Sequence, residues 1–468
     1  MGLMTAAQYR ESLRDGRVVY WGGERIEDVS THPRFRVPIE VALGDYAYDA
    51  PEARPILTFE TDEGDLCHRI YQVPYTADDL MKRVELCKRM SLVGGTTGVF
   101  MALLTIRERL AVLNPLYADN VERLYRHARD NDLRAAEVIT DAKGNRALKA
   151  HEQIDPDLYL RIVERRSDGI VVRGAKLHIT GASLVHELVV MPTKAMTADE
   201  ADYAVAFSVP ANTPGVSIIN RNFAPAELNP FDYPGSVHAS IPEGFVVFDD
   251  VFVPWERVFL AGEYQMAGAF AQSLGLWERT LGLVEGLHRI EIMVGLAQLA
   301  AEHQGRTRDS TFQDTIADMI AYVEAVRMGL DYACRHFETT ASGMVYPNML
   351  GINVTKYNFV NAYHSFARNL LQVCGGIVMT LPQEADLRNE ASGQYLRKYL
   401  QSVQGVDTEQ QMRVLNLIRD MTADAYGGWN LVMTLQAGGG LKAQKVMMVR
   451  GFDMVKAKAK ALAHAGAT

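Results

Sequence analysis

Glu278 and Glu285 stand seven residues apart in and just before the helix-forming run LGLVEGLHRIEIMVGLAQLAAEH (281–303). A spacing of seven is close to two helical turns, so both carboxylates share one helix face. His288 lies three residues beyond Glu285 and can meet it on the same side. Turned toward a pocket, such a face supplies a carboxylate–imidazole pair with shifted pKa values, suited to general acid–base catalysis. Turned toward solvent, it is an ordinary charged surface with Arg279 and Arg289 as ion-pair partners. Glu278, Glu285 and His288 could also ligate a metal. No second group of ligands is evident, so no metal is expected. Glu137 is a further candidate pocket acid.

These residues need a large apolar frame, and the chain has one. Its 468 residues are 48% hydrophobic, enough for two or three packed domains. The net charge of −9 and the lack of a basic aromatic patch argue against a nucleic-acid partner. No apolar run approaches the roughly 18–20 residues of a transmembrane helix, so no membrane is expected. The opening MGLMTAAQYRESLRDG carries acids and no apolar core, unlike a secretory signal. Four widely spaced cysteines (Cys67, Cys87, Cys334, Cys374) form no CxxC pair and suit a reducing, cytoplasmic setting.

The texture of the chain changes twice. Residues 1–153 alternate polar loops with amphipathic helices, such as TADDLMKRVELCKRMSLV (76–93) with its Thr cap and first-turn acids. Residues 154–265 hold short strand-like runs between Pro, Gly and Asn turns. Residues 266–468 return to long helical patterns that must pack on one another, giving a bundle. The middle part is expected as a small barrel or sandwich. Within it, GIVVRGAKLHITGASLVHELVVMPT (169–193) has two apolar runs around a polar centre. Gly174 and Gly181 allow close backbone approach or positive φ there. Thr180 and Ser183 offer hydroxyls to a bound cofactor. An ordinary β-hairpin is the plainer reading of the same residues.

This order resembles the family of 4-hydroxybutyryl-CoA dehydratase and 4-hydroxyphenylacetate 3-hydroxylase. The strings that carry the likeness are DNDLRAAEVITDAKGNRAL (130–148), DPDLYLRIVERRSDGIVVRGAK (155–176), HELVVMPT (186–193), FDDVFVPWERVFL (248–260), GGIVMTLPQEAD (375–386) and QAGGGLKAQKVMM (436–448). The likeness runs from about residue 80 to the C-terminus, with extension to residue 5. It implies an α+β, acyl-CoA dehydrogenase-like fold: an N-terminal helical domain, a middle β-barrel or sandwich domain and a C-terminal helical bundle. It also implies non-covalent FAD and a homotetramer.

The resemblance assigns flavin contacts to Thr140, Asp141, Lys143, Gly144, Asn145 and Arg146, and to Thr180. Lys143 and Arg146 suit a pyrophosphate or an anionic flavin ring, although DAKG is a strong turn in any protein. Gln372, Gly375 and Gly376, and then Gly427 and Gly428, fall where the family brings helix backbone close to a cofactor, some of it the neighbouring subunit's. Helix termination or tight packing is the alternative for each glycine pair.

What the family uses for chemistry is altered here. The dehydratase branch holds an iron–sulfur cluster on three cysteines and a histidine. Its first two cysteine positions fall in SLVGGTTGVFMA (91–102), which has none, and its histidine and third cysteine fall on Glu278 and Glu285. Cys87 is the one thiol expected nearby, so no iron–sulfur cluster is expected. The hydroxylase branch holds a phenolate with an Arg, a Tyr four residues on, and a His. The matching positions are Thr96, Phe100 and Glu137, so the cation that favours phenolate is lost.

The leading expectation is a reduced-FAD-dependent monooxygenase for a small aromatic or carrier-bound substrate, with FAD reduced by a separate flavin reductase. No GxGxxG pattern follows a strand, in keeping with an external reductase. The alternatives are a cluster-free acyl-CoA dehydratase or isomerase-like flavoenzyme, and a non-catalytic flavin-binding paralogue.

Overall fold

The computed structural model describes residues 2–224 and 229–466, in the order helical, then largely β, then helical. The helix expected over 76–93 forms as Ala77–Cys87. The Thr76 hydroxyl accepts the Asp79 amide at 3.1 Å, and the Asp79 carboxylate accepts the Thr76 amide at 3.0 Å, which satisfies two of the orphan donors at its start. The helix stops short of 93 because Ser91 caps a second one. Its hydroxyl accepts the Gly94 amide, and its own amide donates to Asp45 at 2.7 Å. That second helix, Leu92–Thr96, carries Gly94 and Gly95 and leads past Gly98 into Val99–Leu113.

Two sheets form the β part. In the larger, neighbouring strands run Glu24–Ile26, Val18–Trp21, Val216–Arg221, Glu243–Pro254, Gly169–Thr180 and Thr140–Asp141, and Arg161–Arg165 also pairs with Gly169–Thr180. The smaller sheet runs Val258–Ala261, Val205–Pro210, Glu187–Val190 and Ala135–Val138. Phe207 and Phe248, one from each sheet, meet edge to face at 5.8 Å. The stretch 169–193 is therefore no hairpin. Gly169–Thr180 lies in one sheet and Glu187–Val190 in the other, with Gly181 turning the chain at φ 67. A Cβ at Gly181 would stand 2.9 Å from Val93, so the turn is pressed onto the Leu92–Thr96 helix. Strands at 18–21, 24–26, 135–138 and 140–141 join these sheets from a region expected to be helix and loop.

The helix Ala267–His303 is 37 residues long, roughly 55 Å, and is buried on most sides. It packs against Ser310–Arg335, Met349–Cys374 and the early helix Val99–Leu113. Two polar ties fix the last contact: Ser273 donates to the Ala102 carbonyl at 2.7 Å, and the Trp277 indole donates to Thr105 at 3.0 Å. Among the described residues no helix is long and apolar enough to cross a membrane.

Candidate active site

One stripe interrupts the apolar surface of the Ala267–His303 helix. Glu278, Gly282, Glu285 and Arg289 recur at intervals of four, three and four, which is the helical repeat. From Met349–Cys374, Lys356 comes against this stripe, 2% exposed. Its Nζ lies 3.4 Å from where a Cβ on Gly282 would stand. The ammonium is thus set between two acids by the lack of a side chain at 282. Burial pushes its pKa down to about 8, opposed first by Glu278. Burial likewise raises Glu278, and raises Glu285 to about 7 against the pull of Arg289 and Lys356.

Glu137 approaches from the Ala135–Val138 strand. Burial, then the charges of Glu278 and Glu285, push its pKa well up, with Arg83 opposing. All three acids are half-buried, not sealed, and Glu137 lines a cavity. Like charges so close cannot all ionise at once. Acids and a lysine drawn toward neutral pH can hold or pass a proton there.

His288 does not join them. It is exposed, because three residues leave it about 60° off a stripe that repeats at four and seven. Nor do the expected arginines pair with the glutamates. Arg279 donates to the Gly438 carbonyl at 2.7 Å and to Asn353 at 3.1 Å, and Arg289 donates to Asn430 at 2.7 Å and to Thr434 at 3.2 Å. The QAGGG tail therefore packs on this same helix. Gly438 takes φ 72, and a Cβ there would collide with Arg279.

Thr180 ends its strand facing Glu243 of the paired strand Glu243–Pro254. The Thr180 hydroxyl donates to Glu243 Oε2 at 2.9 Å, and Oε1 is buried. Burial raises Glu243 to about 7, against hydrogen bonds from Thr180 and then Trp429. The Trp429 indole faces this carboxyl and also draws its pKa down. Trp429 packs on Phe223 at 5.1 Å, and Phe223 stacks on Tyr426 at 5.4 Å.

Beside Glu137 a cavity opens, bordered by Arg83, Cys87, Gly95, Gly98, Trp277 and Cys334. Of the three family-matched positions Glu137 borders it, and Thr96 and Phe100 do not. Thr96 turns its hydroxyl to the Ala135 carbonyl at 3.0 Å, and Phe100 is core, packed on Tyr71 and Tyr125. The cavity wall of this segment is glycine. A cation does reach the cavity, from Arg83 on another helix. Two thiols border it where the sequence suggested one; burial raises Cys87 to about 11 and Cys334 to about 12, so both are neutral.

The expected flavin turn divides into two sets. Asp141 is committed to structure. It forms a buried ion pair with Lys176 at 2.7 Å and accepts the Leu160 amide and the Thr193 hydroxyl. Its side chain is not free for a cofactor. Thr140 and Lys143 are half-buried, and Gly144, Asn145 and Arg146 are exposed; Lys143 and Gly144 take φ 66 and 47. Gln372, Gly375 and Gly376 are exposed at the end of Met349–Cys374, and nothing stands near the two glycines. Gly427 is tightly packed instead, with Thr422 backbone 2.4 Å from the place of a Cβ, whereas Gly428 faces open space.

Residues 5–260 match the family model for the 4-hydroxyphenylacetate 3-hydroxylase N terminal, and residues 267–466 that for its C terminal. The chain is 32% identical, over 99% of each chain, to the 4-hydroxybutyryl-CoA dehydratase/vinylacetyl-CoA-Delta-isomerase of Clostridium aminobutyricum. It is 30% identical, over 90% of this chain and 89% of the relative, to a 4-hydroxyphenylacetate 3-monooxygenase oxygenase component of Thermus thermophilus. An archaeal 4-hydroxybutyryl-CoA dehydratase from N. maritimus superposes with a TM-score of 0.92 at 26% identity, covering 100% of this chain and 95% of that one. The oxygenase component of 4-hydroxyphenylacetate 3-monooxygenase complexed with FAD gives 0.89 at 27% identity, covering 98% of both. The chain belongs to the 4-hydroxyphenylacetate 3-hydroxylase family.

Proposed function

We propose that this protein is a flavin-dependent monooxygenase, the oxygenase component of a two-component system, acting on a small aromatic or carrier-bound substrate. The observation that carries the reading is the set of acids Glu137, Glu278 and Glu285 with Lys356, gathered beside a cavity in a chain of this family. FAD-dependent relatives support the cofactor. The residues present fit a flavin: the buried Glu243 carboxyl, held by Thr180 and faced by the Trp429 indole, lies next to an aromatic surface of Trp429, Phe223 and Tyr426. Bound without a covalent link, and reduced by a separate flavin reductase, FAD would supply the electrons that activate dioxygen.

The chain's own groups then have separate tasks. Thr180 and Glu243 hold one edge of the flavin site. Lys143 and Arg146 offer charge to its phosphates. Gln372, Gly375, Gly376 and Gly428 leave room for a further part of a cofactor, in a homotetramer that of a neighbouring subunit. Glu278, Lys356 and Glu285 store and move a proton at the carboxyl and ammonium atoms. Leu80, Val84 and Leu281 wall the cavity with apolar surface and exclude water. The arrangement is acyl-CoA dehydrogenase-like, divided as 1–153, 154–265 and 266–468, in a cytoplasmic enzyme. An iron–sulfur cluster has no place in this reading, because glutamates stand at two of its ligand positions and the segment 91–102, which would supply two more, has no cysteine.

The test uses FAD-loaded protein, reduced without oxygen and then mixed with labelled dioxygen and a phenol probe. Label in the probe is the expected result. Failure to bind FAD in either redox state would sink the proposal, and about four irons per subunit in anaerobically purified protein would refute the cluster-free reading.

A second reading is a cluster-free acyl-CoA isomerase. It is favoured by the 32% identity to the dehydratase/isomerase and by the acid–lysine–acid array. Glu278 or Glu285 would then take an α- or γ-proton from an acyl thioester. Exchange of solvent deuterium into vinylacetyl-CoA without oxygen would select it.

A further inference from the structure

Arg83 projects from the Ala77–Cys87 helix into the cavity that Glu137 also borders. Its guanidinium lies over the Trp277 ring, 5.3 Å from the centroid, and its Nη2 is 3.0 Å from the place a Cβ on Gly98 would take. The glycine is what lets it in. Nη1 donates to the Ile70 carbonyl at 2.9 Å and so fixes the group's orientation. Among the described residues, Nε and Nη2 have no hydrogen-bond partner, and Arg83 forms no ion pair although an acid shares its cavity.

Those two atoms lie on one edge of the guanidinium and make the fork that a planar carboxylate accepts with both oxygens. Glu137 does not fill that role, because burial and its acidic neighbours favour its protonated form. Its hold on the guanidinium is weakened accordingly. The cavity is narrow, ≈ 20 Å³, against the roughly 10–15 Å³ that a single water needs. It therefore admits a head group and not a whole substrate. A neutral head group of the same shape would leave the half-buried guanidinium unpaired, which is how such a site discriminates.

We propose that Arg83 is the specificity-determining residue of this cavity, and that the substrate is a small organic acid whose carboxylate docks on the Nε–Nη2 edge. This rests on the reading of the cavity as the substrate pocket of a flavin enzyme. Benzoate and its neutral isostere benzamide are the probes, titrated into FAD-treated protein by equilibrium dialysis, with flavin content measured on the same samples. Benzoate is expected to bind at least about ten-fold more tightly than benzamide. Arg83→Gln is expected to abolish that preference with benzamide binding unchanged, and Arg83→Lys, which keeps the charge and loses the fork, to retain part of it. Equal binding of the two probes, no binding of benzoate, or phenol bound in preference to benzoate would overturn the proposal. The wild-type comparison needs no variant, so a misfolded Arg83→Gln does not protect the idea. Loss of flavin with the acid preference intact would count against the proposed function and not against Arg83.

Discussion

Glu285→Gln separates stability from chemistry at one atom. Burial lifts the Glu285 pKa from 4.5 to about 7, and each unit corresponds to about 1.36 kcal/mol. A raised carboxyl binds its proton more tightly folded than unfolded. Stability from this group is therefore greatest at low pH and falls as pH rises from about 4.5 through about 7. Above that window ionised Glu285 costs the folded state up to roughly 3 kcal/mol, an upper bound because the carboxyl keeps some contact with solvent. Glutamine removes this cost, which is already net of the attraction to Arg289 and Lys356, so a gain of about 1–3 kcal/mol is expected at pH 8. Near pH 4.5 the two proteins should melt almost together. Thermal melts of matched samples across this range read the difference, and turnover should fall in the same variant. A variant no more stable than wild type at pH 8, or one shifted equally at both pH values, would refute a desolvated carboxylate at this position.

Three other substitutions test neighbouring claims. His288→Ala should change stability by less than about 0.5 kcal/mol and leave turnover intact, since the ring is exposed; lost turnover with flavin retained would return His288 to the site. Asp141→Asn should destabilise by about 3–5 kcal/mol in denaturant melts, because it strands buried Lys176. A stable Asp141→Asn protein that has lost FAD would instead make the carboxylate a cofactor ligand. Thr180→Val removes the bond that lowers Glu243, so the carboxyl should titrate above about 7. Isotope-edited infrared spectroscopy of the C=O band would show an unchanged midpoint if Thr180 does not control it.

Much of the frame was readable from sequence because periodicity reports which face a segment buries. The helices of the last third, the strands at 205–210 and 216–221 and the Thr76 cap all carry that signature. Sheet membership is set by distant partners, which explains two misreadings: the 169–193 hairpin, and the strands at 18–26 and 135–141 taken for loop and helix. At the site, the seven-residue spacing placed Glu278 and Glu285 together, and Glu137 met them. Lys356, Arg83 and Glu243 were missed because each lies far along the chain and looks like an ordinary charged residue. The available signals were Gly282 and Gly98, helix-breaking residues within or beside helical runs, each marking where a cationic side chain is admitted. His288 failed because proximity on a helix depends on angle as well as on count.

The lysine lodged against Gly282 has a consequence for how the site meets charged visitors. Glu285 near 7 and Lys356 near 8 keep their proton count open at the pH of most cells. An arriving anion raises the proton affinity of all nearby groups, so the pocket should draw protons from bulk water as it fills. A cation should expel them. The apparent affinity for a ligand that does not itself titrate would then vary with acidity between about pH 7 and 8, with anions held more tightly on the acid side. In unbuffered solution with an indicator dye, that uptake is a colour change in step with binding. The site acts as a small proton reservoir whose level is set by its occupant.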